Sequence, residues 1–382
     1  MPEATSPSPG RRRLLGPDSW PYLLSPLIPA AVIVDLAGAP ATVVFFVSAV
    51  ALIPPAAMMG RATEELAERS GNVIGGLLNV TFGNAPELII ALFALEKGLH
   101  EVVKASLIGS ILGNILLVMG AAMLVGGLSG GRTHGVQKFG QTAASAQSTM
   151  LLLAVAALIM PGVFALVEGD HLPHPGDAIV DYGSTLEHLS LAVACVLIIS
   201  YLAGLLFSLR THASLFNPHE DESSTEGRGD WSTRRSVLAL AISGALVGVL
   251  SEILVGSIEG FVESFGLSAF FVGVVLVPTI GNLAEHLVAV QLAAKDKMEF
   301  AMAVSYGSSL QVALFVAPVL VIIGALLGHP MDLVFTPLEV AAVGAAVGIS
   351  ALIALDGESN WLEGALLMIV YAILAVSFFE FR

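Results

Sequence analysis

The sequence predicts an all-α integral membrane protein with eleven transmembrane helices. Three observations predict it. Only 12% of the 382 residues are charged and 55% are hydrophobic, whereas a soluble domain carries about 25% charged residues. Apolar runs of roughly 20 residues, enough to cross about 30 Å of hydrocarbon, recur from end to end. Finally, two polar patterns embedded in such runs repeat each other 198 residues apart.

The expected helices lie near 20–38, 41–60, 72–96, 102–127, 138–165, 184–209, 234–264, 268–294, 299–327, 332–355 and 359–381. The runs are too long, and too poorly alternating, for membrane strands, so no strand is expected. Residues 1–19 read as a cytoplasmic tail carrying Arg11, Arg12 and Arg13. No convincing small-residue cleavage site follows the first apolar run, so that span reads as uncleaved. The lone Cys195 excludes an intrachain disulfide and a cysteine-based metal site. A net charge of −15 argues against a nucleic-acid partner and makes the loops acidic.

Positive charges orient the chain. With the N-terminus in the cytoplasm and eleven crossings, 13 of the 16 Lys and Arg fall inside. Only Lys97, Lys104 and Arg382 fall outside. Trp20 and Trp361 lie at span ends, where interfacial aromatics belong. The hydrophilic segment 211–235 divides the chain into five or six spans and then five, and the outer loop 166–183 is also acidic. Both read as solvated connectors; the sharper reading is a cation-gathering or regulatory segment.

The repeat carries the chemistry. GGLLNVTFGNAPELIIAL at 75–92 aligns with GVVLVPTIGNLAEHLVAV at 273–290, pairing Gly83-Asn84 with Gly281-Asn282 and Glu87 with Glu285. The same register continues without a gap to Gly109-Ser110 and Gly307-Ser308. Five spans separate the copies, so they cross the membrane in opposite directions, as in the interrupted helices of many secondary transporters. Gly83 weakens the helix, and Pro86 and Pro278 each free a carbonyl about one turn earlier.

Glu87 and Glu285 lie deep in apolar runs with no Lys or Arg nearby in sequence. An ionised carboxylate there is unfavourable by several kcal/mol unless a cation or a proton compensates it. Calcium takes about six to eight oxygen ligands. Two carboxylates, the amide oxygens of Asn84 and Asn282, freed carbonyls and water supply such a set, and the paired charge matches Ca²⁺. Cation and protons then compete for one site.

Blander readings exist for each group. A single intramembrane Glu can simply bond a neighbouring helix, but two related by one GN-x-x-E pattern argue against that. Asn84 and Asn282 alone would serve as interhelical glue. His286 points about 100° from Glu285 around a helix, which suits packing or support. Glu64 and Glu252 are candidate proton-path or gate residues. Gly109, Gly113 and Gly307 read as sites of close helix packing.

At these residues the chain resembles the calcium/proton exchanger family of the cation/calcium exchanger superfamily. GNAPELI and GNLAEHLVA look like that family's two signature repeats. The likeness extends to TEELAERSGNVIGGLLN at 63–79, SLIGSILGN at 106–114, SEILVGSIE at 251–259, SYGSSLQVALFVAPVL at 305–320 and NWLEGALL at 360–367. The resemblance implies an extra N-terminal helix, 20–38, before two inverted five-helix repeats, 41–209 and 234–382. An acidic cytoplasmic loop, 210–233, would join them. It carries the cation site over to Asn84, Glu87, Asn282 and Glu285, with Ser110, Asn114, Ser308 and Gln311 as supporting polar positions. Pro86 stands where the family usually has a hydroxyl residue, and Leu283 where it usually has a small one. These departures bear on affinity and ion selectivity.

The leading expectation is therefore Ca²⁺/H⁺ antiport by alternating access, with calcium as substrate, no cofactor, and the bilayer as surroundings. The expected location is the inner (plasma) membrane of a prokaryote, with the C-terminus outside; a homo-oligomer is compatible with the sequence. Sodium-coupled exchange is the first alternative, although the scarcity of hydroxyls beside Glu87 and Glu285 favours protons. A channel is disfavoured by the internal inverted repeat. No Asp pair, His-Glu zinc motif or Ser–His arrangement supports an intramembrane enzyme.

Overall fold

The structure, a computed structural model, describes residues 20–70, 72–129, 135–174, 182–212 and 231–381. The expected tail at 1–19 and most of the expected acidic loop lie outside the described residues. After a 3₁₀ turn at Trp20–Leu24 come α1 (Leu27–Leu36), α2 (Ala41–Ser70), α3 (Asn72–Phe82) and α4 (Ala85–Glu96). These are followed by α5 (His100–Ser129), β1 (Val136–Lys138), α6 (Gln141–Glu168), α7 (Gly183–Thr211) and α8 (Thr233–Phe265). The chain ends with α9 (Ala269–Leu283), α10 (Glu285–Ala294), α11 (Met298–Leu327), α12 (Pro337–Ile353), β2 (Glu358–Asn360) and α13 (Trp361–Glu380).

Among the described residues, seven helices are long and apolar enough to cross a membrane, and eight if α9 and α10 form one bent span. Leu153, Val196, Ile242, Leu352 and Ile373 are exposed on their outer faces, which suits contact with lipid. Inside, α2 packs along α8, where Phe45 stacks on Phe261 with ring centroids 4.0 Å apart.

The expectation of no strand is corrected. The chain does contain strands: β1 and β2 pair antiparallel, with Gln137 opposite Ser359. They are only three residues long and join loop segments rather than apolar runs, so membrane-strand patterning could not register them. Beyond them, capping boxes start α12 at Thr336/Glu339 and α13 at Asn360/Glu363. Each satisfies backbone donors that a helix N-terminus otherwise leaves open.

Two interruptions fall inside the repeated segments. The chain leaves α3 at Phe82, turns through Gly83 and Asn84, and restarts as α4. In the other copy, α9 and α10 meet at 66°, at the residue before Glu285. Widened π-helical turns also recur in register: Gly113–Val118 in α5 and Val312–Val316 in α11 overlap at the 198-residue offset. Such turns cluster at functional sites.

The prolines act differently from one another. Pro86 is the second residue of α4, where its missing N–H breaks no ladder bond. The first interruption therefore comes from helix termination at Gly83-Asn84, not from proline. Pro278 sits within α9 just after a π-helical stretch, Val272–Leu276, and frees the carbonyl of Val274. That carbonyl lies against Gly109, where an added Cβ would come within 2.0 Å of the oxygen. Close packing of α5 on α9 thus depends on glycine at 109. Gly113 and Gly307 correct the packing expectation, because neither has a neighbour within 4 Å of an added Cβ.

Candidate cation site

Both glutamates sit where a half-helix begins. Glu87 lies in the first turn of α4 and Glu285 is the first residue of α10. At Glu87 the helix N-terminus presents unpaired N–H groups and a partial positive charge, which compensates an anion where lipid cannot, whereas at Glu285 the helix bends without ending.

The side chains around them cross-link the two repeats. Asn282 Nδ2 donates to Glu87 Oε1. Ser110 Oγ, from α5, donates to the same oxygen at 3.2 Å. Glu87 Oε2 is buried and has no hydrogen-bond partner. In the other direction, Asn84 Nδ2 donates to Gln311 Oε1 at 2.9 Å and to the Ser308 carbonyl at 3.3 Å. Ser308 Oγ donates to Asn84 Oδ1 at 3.1 Å and also lies within hydrogen-bond reach of the Glu285 carboxyl. Glu87 and Glu64 both lie within electrostatic reach of Glu285.

The structure therefore brings together Asn84, Glu87, Ser110, Asn282, Glu285, Ser308 and Gln311, with Glu64 close by. Asn114 is buried and its Nδ2 has no partner. His286 is buried with an unpartnered Nε2. Glu252 is exposed on α8 and is not among the groups that meet either central glutamate.

Among the described residues, no cluster of three or more His, Cys, Asp or Glu side chains forms a metal cage. The site is instead two carboxylates among neutral amide and hydroxyl groups. That set suits a hard cation held only transiently, since calcium accepts such oxygens in flexible geometry.

Two further contacts escaped the sequence reading. The Tyr371 hydroxyl on α13 lies within hydrogen-bond reach of the Thr279 side chain on α9. Glu65, one residue beyond Glu64, is buried and accepts the Trp231 backbone N–H at 2.9 Å. Thr279 lies in the repeat, opposite Thr81, but Tyr371 does not, and only the TEE run at 63–65 pointed toward Glu65.

Comparison with known proteins decides the family. The model of the sodium/calcium exchanger protein family matches residues 40–210 and 235–379, which include every residue of this cluster. The chain belongs to that family. Relatives within it include the Ca²⁺/H⁺ antiporter of Synechocystis sp., 47% identical over 352 residues, covering 88% of this chain and 91% of the relative. The Ca²⁺/H⁺ antiporter of Aphanothece halophytica is 45% identical, covering 88% of this chain and 90% of its own. ChaA of Bacillus subtilis, also a Ca²⁺/H⁺ antiporter, is 41% identical with coverage of 92% and 96%. Among solved structures, native YfkE superposes with a TM-score of 0.78 at 38% identity, over 94% of this chain and 99% of its own. The H⁺/Ca²⁺ exchanger CAX shares the fold, with a TM-score of 0.69 at 14% identity, over 94% of this exchanger-family chain and 91% of its own.

Proposed function

We propose that this chain is a secondary antiporter that exchanges Ca²⁺ for H⁺ by alternating access. Glu87 and Glu285 would take either the cation or protons. The observation that carries this reading is the pairing of two carboxylates from opposite repeats. Each sits at a break in its helix, and the surroundings are neutral oxygen-bearing side chains. Ca²⁺ would neutralise both charges, and protons would do the same in its absence, so neither form leaves uncompensated charge in the membrane. The names of the relatives support the same pair of ions.

The architecture that goes with this reading is eleven spans. The extra helix at 20–38 precedes inverted repeats at 41–209 and 234–382, joined by the cytoplasmic loop 210–233. The N-terminus would lie in the cytoplasm and the C-terminus outside, in the inner membrane of a prokaryotic cell.

An asymmetry between the repeats supports alternation. Gly273 and Val274 of α9 press on α5 at Val102, Ala105 and Gly109. Their register partners, Gly75 and Gly76 of α3, instead face Ala67 of α2 and Leu209 of α7. The register partner of Gly109 is Gly307, which faces open space. One side of the site is thus sealed and the equivalent seal on the other is undone. In the proposed orientation the open side is cytoplasmic. Exchanging the two packings would open the opposite face.

The test is transport in proteoliposomes with an imposed proton gradient, with and without sodium. Calcium uptake should follow the proton gradient and ignore sodium. Uptake that requires sodium and is indifferent to the gradient would sink the proton reading. Glu87→Gln and Glu285→Gln should each abolish exchange while leaving expression intact.

A further inference from the structure

At the N-terminal end of α8, a cavity of about 420 Å³ opens between α8 and α2. Its rim carries Arg234 and Arg235, and its walls are Met58, Leu238, Ala239 and Ile242. The rim is prebuilt. The Arg235 guanidinium lies 4.4 Å from the centroid of the Trp231 ring. Trp231 is itself buried, and its backbone N–H is held by Glu65 Oε2. Among the described residues, neither guanidinium has a carboxylate within ion-pairing distance.

Below the rim the chemistry changes. Leu238 and Ile242 are one helical turn apart and are 52% and 56% exposed. Ile242 lies eight residues beyond Arg234, about 12 Å along the helix. That spacing matches a headgroup phosphate at one end and the upper acyl chain at the other. Two guanidinium groups above an apolar wall on a chain of net charge −15 select an anion with a hydrophobic tail. The acidic segment 219–230 carries no large apolar side chain to match such walls.

We propose that this cavity binds one anionic phospholipid, its phosphate at Arg234 and Arg235 and an acyl chain along Leu238 and Ile242. Basic pockets between spans on the cytoplasmic side bind such headgroups. The leaflet follows from the orientation proposed above; the site itself depends neither on the orientation nor on the transported ion.

Native mass spectrometry of the full-length protein, titrated with phosphatidylglycerol or with phosphatidylcholine of the same chains, tests this. One phosphatidylglycerol should stay bound at collision energies that strip phosphatidylcholine. Arg234→Gln with Arg235→Gln should lower its occupancy about tenfold or more, two lost cations acting near the membrane surface. Replacing both by Lys should keep most of the binding, and Lys295→Gln with Lys297→Gln should leave it unchanged. Equal retention of the two lipids, or full retention in the double Gln variant, overturns the proposal. So does displacement of the lipid by millimolar inorganic phosphate, which would make the rim a free-anion site.

Discussion

The Asn282 side-chain amide, carried by the second repeat, donates to Glu87 Oε1 in the first. Ser110 donates to the same oxygen, so Oε1 has two donors while Oε2 is buried with none. An unpaired buried carboxylate oxygen is costly. In the proposed exchange, that oxygen is the one left for an arriving cation or proton. The arrangement also ties the two helix breaks together, since Asn84 at the first break is held by Ser308 and Gln311 of the second repeat.

Asn282→Ala should therefore weaken calcium without destroying the fold. A hydrogen bond to a charged acceptor is worth about 1.5–3 kcal/mol, roughly 10- to 100-fold in affinity. Radioactive calcium uptake into proteoliposomes should show the half-saturating concentration rise by that factor. An unchanged value would mean that the amide only braces Glu87 and does not shape the bound state.

Proton competition has a definite sign. If calcium binding displaces protons from the two carboxylates, affinity rises with pH, by up to about tenfold per unit for each proton displaced. Calorimetry in buffers of different ionisation enthalpy should register proton release on calcium binding. Glu64→Gln, which leaves both central glutamates in place, should still release protons; complete loss of release in that variant would make Glu64 part of the proton site itself.

The membrane class and the helix pairing were legible because they rest on patterns with a physical period. A charge deficit and repeated apolar runs indicate lipid, and one unbroken register links Glu87 to Glu285. That register even places the π-helical turns after Ser110 and Ser308. What stayed hidden is the difference in packing between the two repeats. Gly109 and Gly307 are equivalent in sequence, yet one is packed against a carbonyl and the other faces open space. Sequence symmetry cannot encode a broken symmetry of packing. Pro86 misled for another reason, since a proline within a span and a proline opening a new half-helix look the same in a string of letters. The strands β1 and β2 were missed because three-residue ladders between loops carry no periodic signal.

Away from the carboxylate cluster, Lys104 Nζ donates to Asp332 Oδ1 and to the Val334 carbonyl, each at 3.0 Å. Both partners of the ion pair are only 14% exposed. The bond ties α5 to the segment leading into α12, and Asp332 also accepts the Val334 N–H at 2.9 Å. Asp332→Ala leaves a partly buried ammonium with one acceptor fewer. Stability should fall by about 1–3 kcal/mol, seen as a lower thermal midpoint in detergent. Calcium affinity should stay as it is, because no residue of the carboxylate cluster is touched.

Gly307 provides the sharpest separation of structure from cycle. An added Cβ there meets nothing within 4 Å, so Gly307→Val should fold and bind calcium from the open side. At the equivalent Gly109 a Cβ would stand 2.0 Å from the Val274 carbonyl, which shows how tight the seal is when closed. If the other state closes the same seal on the Gly307 side, with Gly76 in the place of Val274, a valine cannot be accommodated. Overpacking of this kind costs about 1–3 kcal/mol, so exchange should slow roughly 10- to 100-fold, with Gly307→Ala in between. Gly344, on α12, also faces open space, and Gly344→Val is the matched control. Exchange in Gly307→Val as fast as in Gly344→Val would show that α3 never docks against α11 during transport.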